Sequence, residues 1–336
     1  MKAVELNGYE GTKSLRLVEV EKPRPKANEV LIEVRAAGVN YAEIELAKGR
    51  YYVPKQVPFL MGFQASGVVV ETGSQVNTLK AGDAITSIVS SGGYAEYATA
   101  DADVAIPIPD GVSFAEAATI PIQGLSAFAL LKLAAKPVAS ESVLIQAAAG
   151  GVGIYLVQLA KLMGVKRVIA LASSKAKLDL VRSLGADLTF DYGDPAWTDE
   201  VREATHGNGV DVVLEAASGE VGEESFKLLA PFGRAIVFGA RNVHDTVSSE
   251  RVRQLIYKNQ SLIGFNFPSL RRQQIAECLP SLLSLISQRK VKLFANTSFP
   301  LAEAASAFEA LSSRQTIGTV VLTPQEAEFQ NNAQSL

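Results

Sequence analysis

The segment from residue 142 to residue 160 constrains the fold most, because a buried strand, a glycine-rich turn and a helix follow one another directly. Ser142–Ile145 is an apolar run, the turn carries glycines at positions 150, 151 and 153, and apolar residues continue at helical spacing from Ile154. Glycine lets a backbone approach phosphate groups closely, and a helix N-terminus offers free N–H groups and the positive end of a dipole. The segment therefore predicts a turn that holds the pyrophosphate of a dinucleotide.

The spacing of this turn departs from the usual G-x-G-x-x-G pattern, because Ala147 stands where the first glycine is expected. The surrounding strand and helix therefore carry the prediction, and the spacing alone does not. The alternative is a tight strand-to-helix turn that binds no ligand. On the ligand-binding interpretation, the residues that contact the cofactor are those at the centre of the turn, Ala149, Gly150, Gly151, Val152 and Gly153.

The chain has 336 residues, enough for two domains of ordinary size, and 48% of them are hydrophobic. Its net charge of −3 and its lack of a Lys/Arg block exclude an electrostatic surface for nucleic acid. No apolar stretch approaches the roughly 20 residues that cross a bilayer, and the N-terminus lacks the apolar core of a signal peptide. We therefore expect a cytoplasmic protein with neither a nucleic-acid nor a membrane partner.

Cysteine occurs once, at Cys278, and histidine twice, at His206 and His244, without the spacing of metal ligands. A single cysteine excludes an intrachain disulfide, and zinc sites draw mainly on these two residue types. We therefore predict no metal site, although a carboxylate-only site for a divalent ion stays open.

Two kinds of pattern divide the chain. Residues 1–120 read as β-rich, whereas strands and helices alternate from about residue 122, with strands expected near 143–146, 167–172, 187–190, 211–214, 234–238 and 261–265. Six strands with crossover helices predict a doubly wound parallel sheet of the Rossmann type. A helix near 270–288 and strand-like segments at 291–299 and 317–323 fit the β-rich unit better. We expect one domain from 1–121 and 268–336, and a second from 122–267, with a polar tail after Thr323.

Further motifs occur in a fixed order along the chain. They are Ala37-Gly38-Val39-Asn40-Tyr41-Ala42-Glu43, the segment 58–69, Gly92-Gly93-Tyr94-Ala95-Glu96-Tyr97, the segment 117–127, the glycine turn, and Leu184-Gly185-Ala186-Asp187. With these motifs the chain resembles the zinc-independent quinone oxidoreductase and enoyl reductase branch of the medium-chain dehydrogenase/reductase superfamily. The resemblance extends from residue 1 to about residue 323. It implies a β-rich GroES-like substrate domain packed on a Rossmann domain, with the active site in the cleft between them.

The branch follows from two departures from the zinc-dependent members. Those members carry a Cys where this chain has Gly38-Val39-Asn40, and a Gly-His-Glu where it has Gly62-Phe63-Gln64. Without a metal to polarise an alcohol, the resemblance favours reduction of a conjugated carbonyl, which accepts hydride at carbon. Gln64 also replaces a Glu that is frequent in zinc-independent relatives, which weakens any role for a charge there.

The end of the second Rossmann strand indicates NADP(H) as the cofactor. NAD-binding sheets end this strand in an acidic residue, whereas this chain continues as Ser173-Ser174-Lys175-Ala176-Lys177. Hydroxyl and ammonium groups suit a 2′-phosphate. Matching to the family motif nominates Ser173, Ser174, Lys177, Tyr192 and Arg314 for this phosphate. The competing interpretation of the lysines is a solvated first turn of a helix.

At the nicotinamide end, the resemblance implies Asn40, Ser126, Phe238, Gly239 and Phe265, with backbone groups at the two phenylalanines holding the carboxamide. Both phenylalanines could equally be core residues.

For the proton that follows the hydride, the resemblance nominates Tyr41 and, less strongly, Tyr52, which lie on segments that face the cleft in relatives. A phenol is mostly protonated at neutral pH and can donate to an enolate. Tyr41 could instead be a wall residue, with water as the donor.

These residues favour an NADPH-dependent reductase of quinones or α,β-unsaturated carbonyl compounds. One alternative is an enoyl-thioester reductase of polyketide or fatty-acyl assembly, with an acyl-carrier protein as a partner and a basic patch at the cleft mouth. Another is an NADPH-binding relative without catalytic activity. We further predict a homodimer that pairs the exposed edge of the Rossmann sheet at Ser261–Phe267, because an open apolar edge is a liability.

Overall fold

The computed structural model of the chain describes residues 1–51, 56–244 and 246–324. The N-terminal part is rich in strands. Among its described residues up to 113, the only α-helix is α1 (Tyr41–Ala47). Its strands are β1 (Lys2–Leu6), β2 (Leu15–Glu19), β3 (Glu29–Val39), β4 (Phe59–Leu60), β5 (Gln64–Thr72), β6 (Ala84–Ile88), β7 (Tyr97–Asp101) and β8 (Ile106–Pro107). β1 pairs with β2 and β4, whereas the long strand β3 pairs antiparallel with β5 and β7.

The predicted Rossmann sheet is confirmed. Its strands are β9 (Ser142–Ile145), β10 (Arg167–Ala172), β11 (Leu188–Asp191), β12 (Val210–Glu215), β13 (Leu229–Val237) and β14 (Ser261–Gly264). They are ordered β11-β10-β9-β12-β13-β14, and every pair is parallel. The connections and the segment before β9 contain α2 (Phe114–Ala117), α3 (Leu125–Ala129), α4 (Gly151–Leu162), α5 (Lys175–Ser183), α6 (Trp197–Ala204), α7 (Gly219–Lys227) and α8 (Ser249–Lys258).

The C-terminal part returns the chain to the β-rich unit. It comprises α9 (Arg272–Ser287), β15 (Thr297–Pro300), α10 (Ala304–Ser312) and β16 (Val320–Thr323), and β16 pairs antiparallel with β3. The buried face of α9, formed by Cys278, Leu282 and Ile286, lies in the same apolar cluster as β9 and α4. We therefore propose that the boundary between the two units falls after α9, later than residue 268.

The prediction of a strand at 291–299 is correct only for its end, because β15 begins at Thr297. Lys292 shows the reason. Its backbone N–H donates to Gln158 Oε1 at 2.8 Å, and its carbonyl accepts from Gln158 Nε2 at 3.1 Å. A side chain of α4 thus satisfies the backbone groups that a strand partner would otherwise take.

The helical segment 114–135 corrects the expectation that no apolar stretch of this chain approaches the length that crosses a bilayer. It has 22 residues and is apolar enough to cross a membrane by length and composition, but 78% of its most apolar window is buried inside the protein. Such a segment is a core helix here, because its apolar side chains already pack against α4 and α9.

The sheet order places a cleft at the carboxyl ends of β9 and β12. The chain leaves β9 toward β10 on one side, and later enters β12 on the other side, so the strand order reverses between them. Such switch points are where doubly wound sheets bind ligands. The segment before β16 reaches this point, since Gly318 N–H donates to Ala149 O at 2.9 Å. The β-rich unit is thereby joined directly to the glycine turn.

Candidate active site

The glycine turn has the shape of a phosphate-binding loop. Ala147 adopts a left-handed backbone with φ of 47°, which explains why a glycine is usual at that position. The Gly150 N–H donates to Ala147 O at 2.9 Å, and α4 begins at Gly151. A Cβ on Gly153 would lie 2.2 Å from Ala147 O, so only glycine lets the helix approach the turn this closely. Backbone N–H groups at the start of α4 can therefore bind an anion.

Four of the five residues nominated for the 2′-phosphate come together at the end of β10. Lys177 is buried, and its ammonium group donates to the carbonyl oxygen of Arg314 and to Ser173 Oγ, the latter at 3.4 Å. The Arg314 guanidinium lies 6.0 Å from the centre of the Tyr192 ring. Burial, and next the charge of Arg314, lower the pKa of Lys177. A buried cation, Lys177, beside the exposed cation Arg314 favours a bound anion.

The fifth residue, Ser174, is the N-cap of α5, but its side chain makes no capping hydrogen bond. Lys175 lies outside the cluster, because it is exposed and pairs with Asp179 at 2.6 Å. The solvated-helix interpretation therefore fits Lys175 and does not fit the buried Lys177.

The nicotinamide-end residues divide into two groups. The backbone N–H groups of Phe238 and Phe265 are already used inside the sheet, donating to Glu215 O at 3.1 Å and to Val237 O at 2.9 Å. Both phenylalanine rings pack against the core cluster of the Rossmann unit. Of their backbone groups, the carbonyl oxygens are therefore better placed than the N–H groups to hold a carboxamide. Ser126 is buried on α3. Gly239 follows Phe238, just after the carboxyl end of β13.

Asn40 belongs to a chain of side-chain amides that crosses from the β-rich unit to α4. Its Oδ1 accepts from Gln123 Nε2 at 2.9 Å, and Gln123 Oε1 accepts from Gln64 Nε2 at 2.9 Å. Gln64 Oε1 in turn accepts from the backbone N–H of Ile122 at 3.1 Å. Gln123 Cγ lies 3.2 Å from where a Cβ of Gly151 would be, so the chain of amides ends against the glycine turn.

At its other end this chain reaches a buried carboxylate, Glu43. Glu43 Oε2 accepts from Asn40 Nδ2 at 3.1 Å, from Asn40 N–H at 2.7 Å and from Tyr94 OH at 2.6 Å, and Oε1 accepts from Phe63 N–H at 3.2 Å. Glu43 is 1% exposed. Burial raises the pKa of Glu43 to about 7, although these hydrogen bonds oppose the shift.

Tyr41, the nominated proton donor, lies at the start of α1 beside Asn40, half-buried. The guanidinium of Arg241 covers its ring, with Cζ 4.4 Å from the ring centre. Tyr52 falls outside the described residues. Its neighbour Tyr51 spans the cleft instead, since its hydroxyl donates to Asn266 Oδ1 at 3.2 Å.

A cavity of about 580 Å³ lies at the mouth of the cleft, between Tyr41 and the loop after β12. Two carboxylates line it, Glu45 and Glu220. Four cationic side chains also line it: Lys48, Arg50, Arg241 and Arg314. Lys48 and Glu45 form an ion pair at 2.9 Å. The mouth is therefore positive on balance, in a chain whose net charge is −3.

The part of the chain that the structure describes contains no group of three or more His, Cys, Asp or Glu residues that could hold a metal ion. Phe63 and Gln64, in the segment that supplies ligands in zinc-dependent relatives, offer a benzyl group and an amide. An apolar ring cannot ligate zinc, and an amide oxygen is a poor ligand for it.

Sequence reasoning missed Glu43, Gln123, Tyr94 and Arg241. A signal for Glu43 was present, because Asn40 and Glu43 have the spacing of a helix N-cap and its reciprocal N3 carboxylate. Gln123 and Arg241 carried no such signal, since their partners Asn40 and Tyr41 are far away in the sequence.

Known families match both units. The alcohol dehydrogenase GroES-like domain matches residues 26–110, and the zinc-binding dehydrogenase family matches residues 151–286. Quinone oxidoreductase of Mus musculus is 31% identical over 92% of this chain and 93% of its own length.

Solved structures agree with these matches. The Escherichia coli quinone oxidoreductase complexed with NADPH has a TM-score of 0.88 at 28% identity, covering 96% of this chain and all of the other. The CurK enoyl reductase has a TM-score of 0.85 at 29% identity, covering 96% of this chain and 98% of the other. The chain therefore belongs to the medium-chain dehydrogenase/reductase superfamily, in its quinone oxidoreductase branch.

Proposed function

We propose that this protein is an NADPH-dependent reductase that transfers hydride to quinones or α,β-unsaturated carbonyl compounds without zinc. The observation that carries the proposal is the chain of side-chain amides formed by Asn40, Gln64 and Gln123 beside the glycine turn. These groups donate and accept hydrogen bonds but do not replace a Lewis acid, so a substrate must already be electrophilic at carbon.

The chain binds NADP(H). The glycine turn fits the pyrophosphate, and the cluster of Lys177, Ser173, Tyr192 and Arg314 fits a 2′-phosphate, where an NAD-binding sheet would present a carboxylate. The Escherichia coli relative was solved with NADPH. When bound, the reduced cofactor supplies the hydride.

The residues of this chain then handle charge and protons. Reduction of a conjugated carbonyl places negative charge on the carbonyl oxygen, and a fixed N–H donor in a partly dry cleft stabilises such charge. Among the three amides, Asn40 alone is only half-buried, so its Nδ2 group is the proposed donor. Tyr41, which begins α1 and lines the cavity at the cleft mouth, is the proposed proton donor.

A substrate panel tests the proposal directly. NADPH oxidation is followed with quinones, enones and crotonyl thioesters, using protein before and after exhaustive chelation. We expect turnover with at least one quinone or enone, unchanged by chelation, and no stoichiometric zinc by elemental analysis. Absence of turnover with the whole panel, or activity that vanishes with chelator and returns with zinc, would contradict it.

The positive cleft mouth supports a second candidate, an enoyl-thioester reductase that acts on carrier-bound acyl chains. Lys48, Arg50 and Arg241 suit the phosphate that links an acyl chain to its carrier. The similarity to the CurK enoyl reductase favours the same activity.

Crotonyl thioesters with and without a phosphate on the pantetheine arm separate the two candidates. If the carrier is the natural substrate, the phosphate should raise kcat/KM about tenfold or more, and Arg241→Ala should remove that gain. Arg253→Ala is the matched control, because Arg253 is exposed on α8 and pairs with Glu250 at 3.2 Å. Equal kcat/KM for the two thioesters would leave the small-molecule reductase as the function.

A further inference from the structure

Asn40 is the one member of the amide chain that reaches the cleft surface. It is half-buried, whereas its partners Glu43, Gln64, Gln123 and Tyr94 are 1%, 0%, 3% and 0% exposed. Whatever the amide chain does for a ligand in the cleft therefore passes through Asn40.

The direction of every hydrogen bond in this chain is fixed from one end. The backbone N–H of Ile122 can only donate, so Gln64 must present its oxygen to Ile122 and its nitrogen to Gln123. The same constraint passes to Asn40, whose oxygen must face Gln123 and whose nitrogen must face Glu43. Gly38 leaves the space for this arrangement, because a Cβ there would lie 2.2 Å from Gln64 Nε2.

The other end requires an acceptor, and the ionised Glu43 carboxylate provides it. A carboxylate has about four lone-pair sites, and four donors converge on this one, from Asn40 twice, Phe63 and Tyr94. Three of these donors share Oε2, and protonation of the carboxyl would remove the negative charge that attracts them and weaken these charge-assisted hydrogen bonds. The Asn40 side chain is the donor with the longest bond among those on Oε2, at 3.1 Å.

We propose that Glu43 and Gln123 are positioning residues, which together hold the Asn40 amide in one orientation at the nicotinamide end of the cleft. In that orientation Asn40 keeps its second N–H available for the cofactor or the substrate. The inference rests on the proposed function for its catalytic consequence, but not for its effect on NADPH binding. The ionised form of Glu43 is the competent one, so the affinity for NADPH rises with pH.

Among the described residues, no charged side chain forms a hydrogen bond with the Glu43 carboxylate. The charged residues on the elements packed against α1 include Lys13, Arg241 and Glu309. Arg241 lies over Tyr41, and Glu309 accepts from Thr12 Oγ1 at 3.5 Å. The groups that contact the Glu43 carboxylate are Asn40, Phe63 and Tyr94, of which only Tyr94 is titratable, and burial raises the pKa of Tyr94 further from neutrality.

The test is a fluorescence titration of NADPH between pH 5.5 and pH 9 with four proteins, the wild type, Glu43→Gln, Tyr94→Phe and Glu116→Gln. We expect the wild-type affinity to rise about tenfold through a transition near pH 7. Glu43→Gln should lack this transition, match the wild type at pH 5.5 and bind about tenfold more weakly than the wild type at pH 8.5. The phosphate of the cofactor also titrates, near pH 6, but equally in both proteins, so their difference isolates Glu43.

The two remaining variants make the test specific. Tyr94→Phe removes one donor from the carboxylate and should move the transition to higher pH. Glu116 is the matched control, because it fills the same N3 capping position on α2, bonded to Ser113 N–H at 2.9 Å. Glu116→Gln should follow the wild type. If Glu43→Gln does not fold, the change in the transition pH of NADPH binding in Tyr94→Phe tests the role of Glu43.

Identical pH profiles for the wild type and Glu43→Gln, or an unshifted transition in Tyr94→Phe, would overturn the inference. The kcat of the best substrate, measured over the same pH range, should show the same difference between the proteins. If no substrate is found, the proposed function fails while the NADPH titration still decides the positioning role.

Discussion

Lys177 lies buried at the start of α5 with its ammonium group against the carbonyl of Arg314. A cation in the first turn of a helix opposes the helix dipole, and burial adds to that cost. The position is therefore held by what surrounds it, namely Ser173 Oγ, the Arg314 backbone and the proposed phosphate. We therefore propose that, at the residue scale, Lys177 contributes most to the choice between the two nicotinamide cofactors.

Lys177→Glu should reverse most of a preference for NADPH over NADH that we expect to be at least tenfold. Tenfold corresponds to about 1.4 kcal/mol, a modest gain for charge-assisted contacts to a phosphate. The measurement is the ratio of the two dissociation constants by fluorescence titration, in which general damage to the variant cancels. Lys175→Glu is the control, since Lys175 is 89% exposed on the same helix and should leave the ratio unchanged. Equal constants in the wild type would sink the assignment.

Glu43 should make the protein less stable as the pH rises. Its folded-state pKa of about 7 lies above the ordinary value of 4.5, so the folded protein binds the extra proton between these values. Stability due to Glu43 therefore falls from pH 4.5 to pH 7 by about 3 kcal/mol and stays low above that. Urea unfolding at pH 5 and pH 8 measures the effect. The stability of Glu43→Gln relative to the wild type should increase between the two, and a constant difference would refute the assignment.

Tyr41→Phe should separate a chemical role from a packing role. The change removes the hydroxyl and keeps the ring beneath Arg241, so the contact at 4.4 Å and the affinity for NADPH should persist. Turnover of an enone or enoyl thioester should fall about 10²-fold or more, the usual scale for a positioned acid. Quinone reduction should suffer less, because a quinol oxygen exchanges its proton readily with water. Wild-type turnover on the best enone would withdraw the role of Tyr41.

At the scale of elements, the glycine turn and α4 form one unit. Gly153 and Ala147 have opposite effects on the energy of this unit. Gly153 permits the close approach of the helix to Ala147 O, whereas Ala147 itself occupies a left-handed backbone that costs a non-glycine residue about 1 kcal/mol. The turn is thus closely packed at Gly153, where the cofactor is expected. Its backbone is slightly strained at Ala147, where the sequence departs from the usual glycine.

Substitutions at these two positions should act in opposite directions. Ala147→Gly should stabilise the protein by up to about 1 kcal/mol and keep NADPH binding, because it relieves the positive φ. Gly153→Ala should weaken NADPH binding at least tenfold and lower Tm, because its Cβ would lie 2.2 Å from Ala147 O. Thermal unfolding and NADPH titration of both variants give the comparison. A Gly153→Ala protein that binds NADPH normally would show that the turn does not hold the pyrophosphate.

The elements show why the sequence predicts some features and misses others. Inner parallel strands such as β9, β10 and β12 are buried and read as continuous apolar runs, so they were recognisable. The edge strands β11 and β14 are less buried but were also predicted, from their alternation with helices. The segment 291–296 has a similar composition but meets the side chain of Gln158 where a strand partner would lie. The contact between Asn40 and Gln123 joins residues 83 positions apart, and no local pattern encodes such a pair. Local secondary structure can thus be predicted from the sequence. The polar contacts of the cleft cannot, because they join residues that only the fold brings together.

At the scale of the whole molecule, the Rossmann sheet ends in an open edge. β14 pairs only with β13 in the described chain and lies at the end of the strand order. Near it, α8 exposes apolar side chains, with Ile256 66% and Tyr257 80% accessible. Exposed apolar groups beside an unpaired strand edge mark a contact surface, and pairing with a second copy of the chain across a two-fold axis covers both at once.

We therefore expect a homodimer in which β14 and the following residues to Phe267 meet their counterparts in a second copy. Light scattering at micromolar concentration should give twice the chain mass of 35.7 kDa. Ile256→Glu should shift the equilibrium toward the monomer, because it places a charge in the apolar contact. Leu17→Glu is the matched control, since Leu17 is 42% exposed on β2 in the other unit and should leave the dimer intact. A wild-type mass equal to one chain, or dissociation by both variants alike, would show that this edge is not the interface.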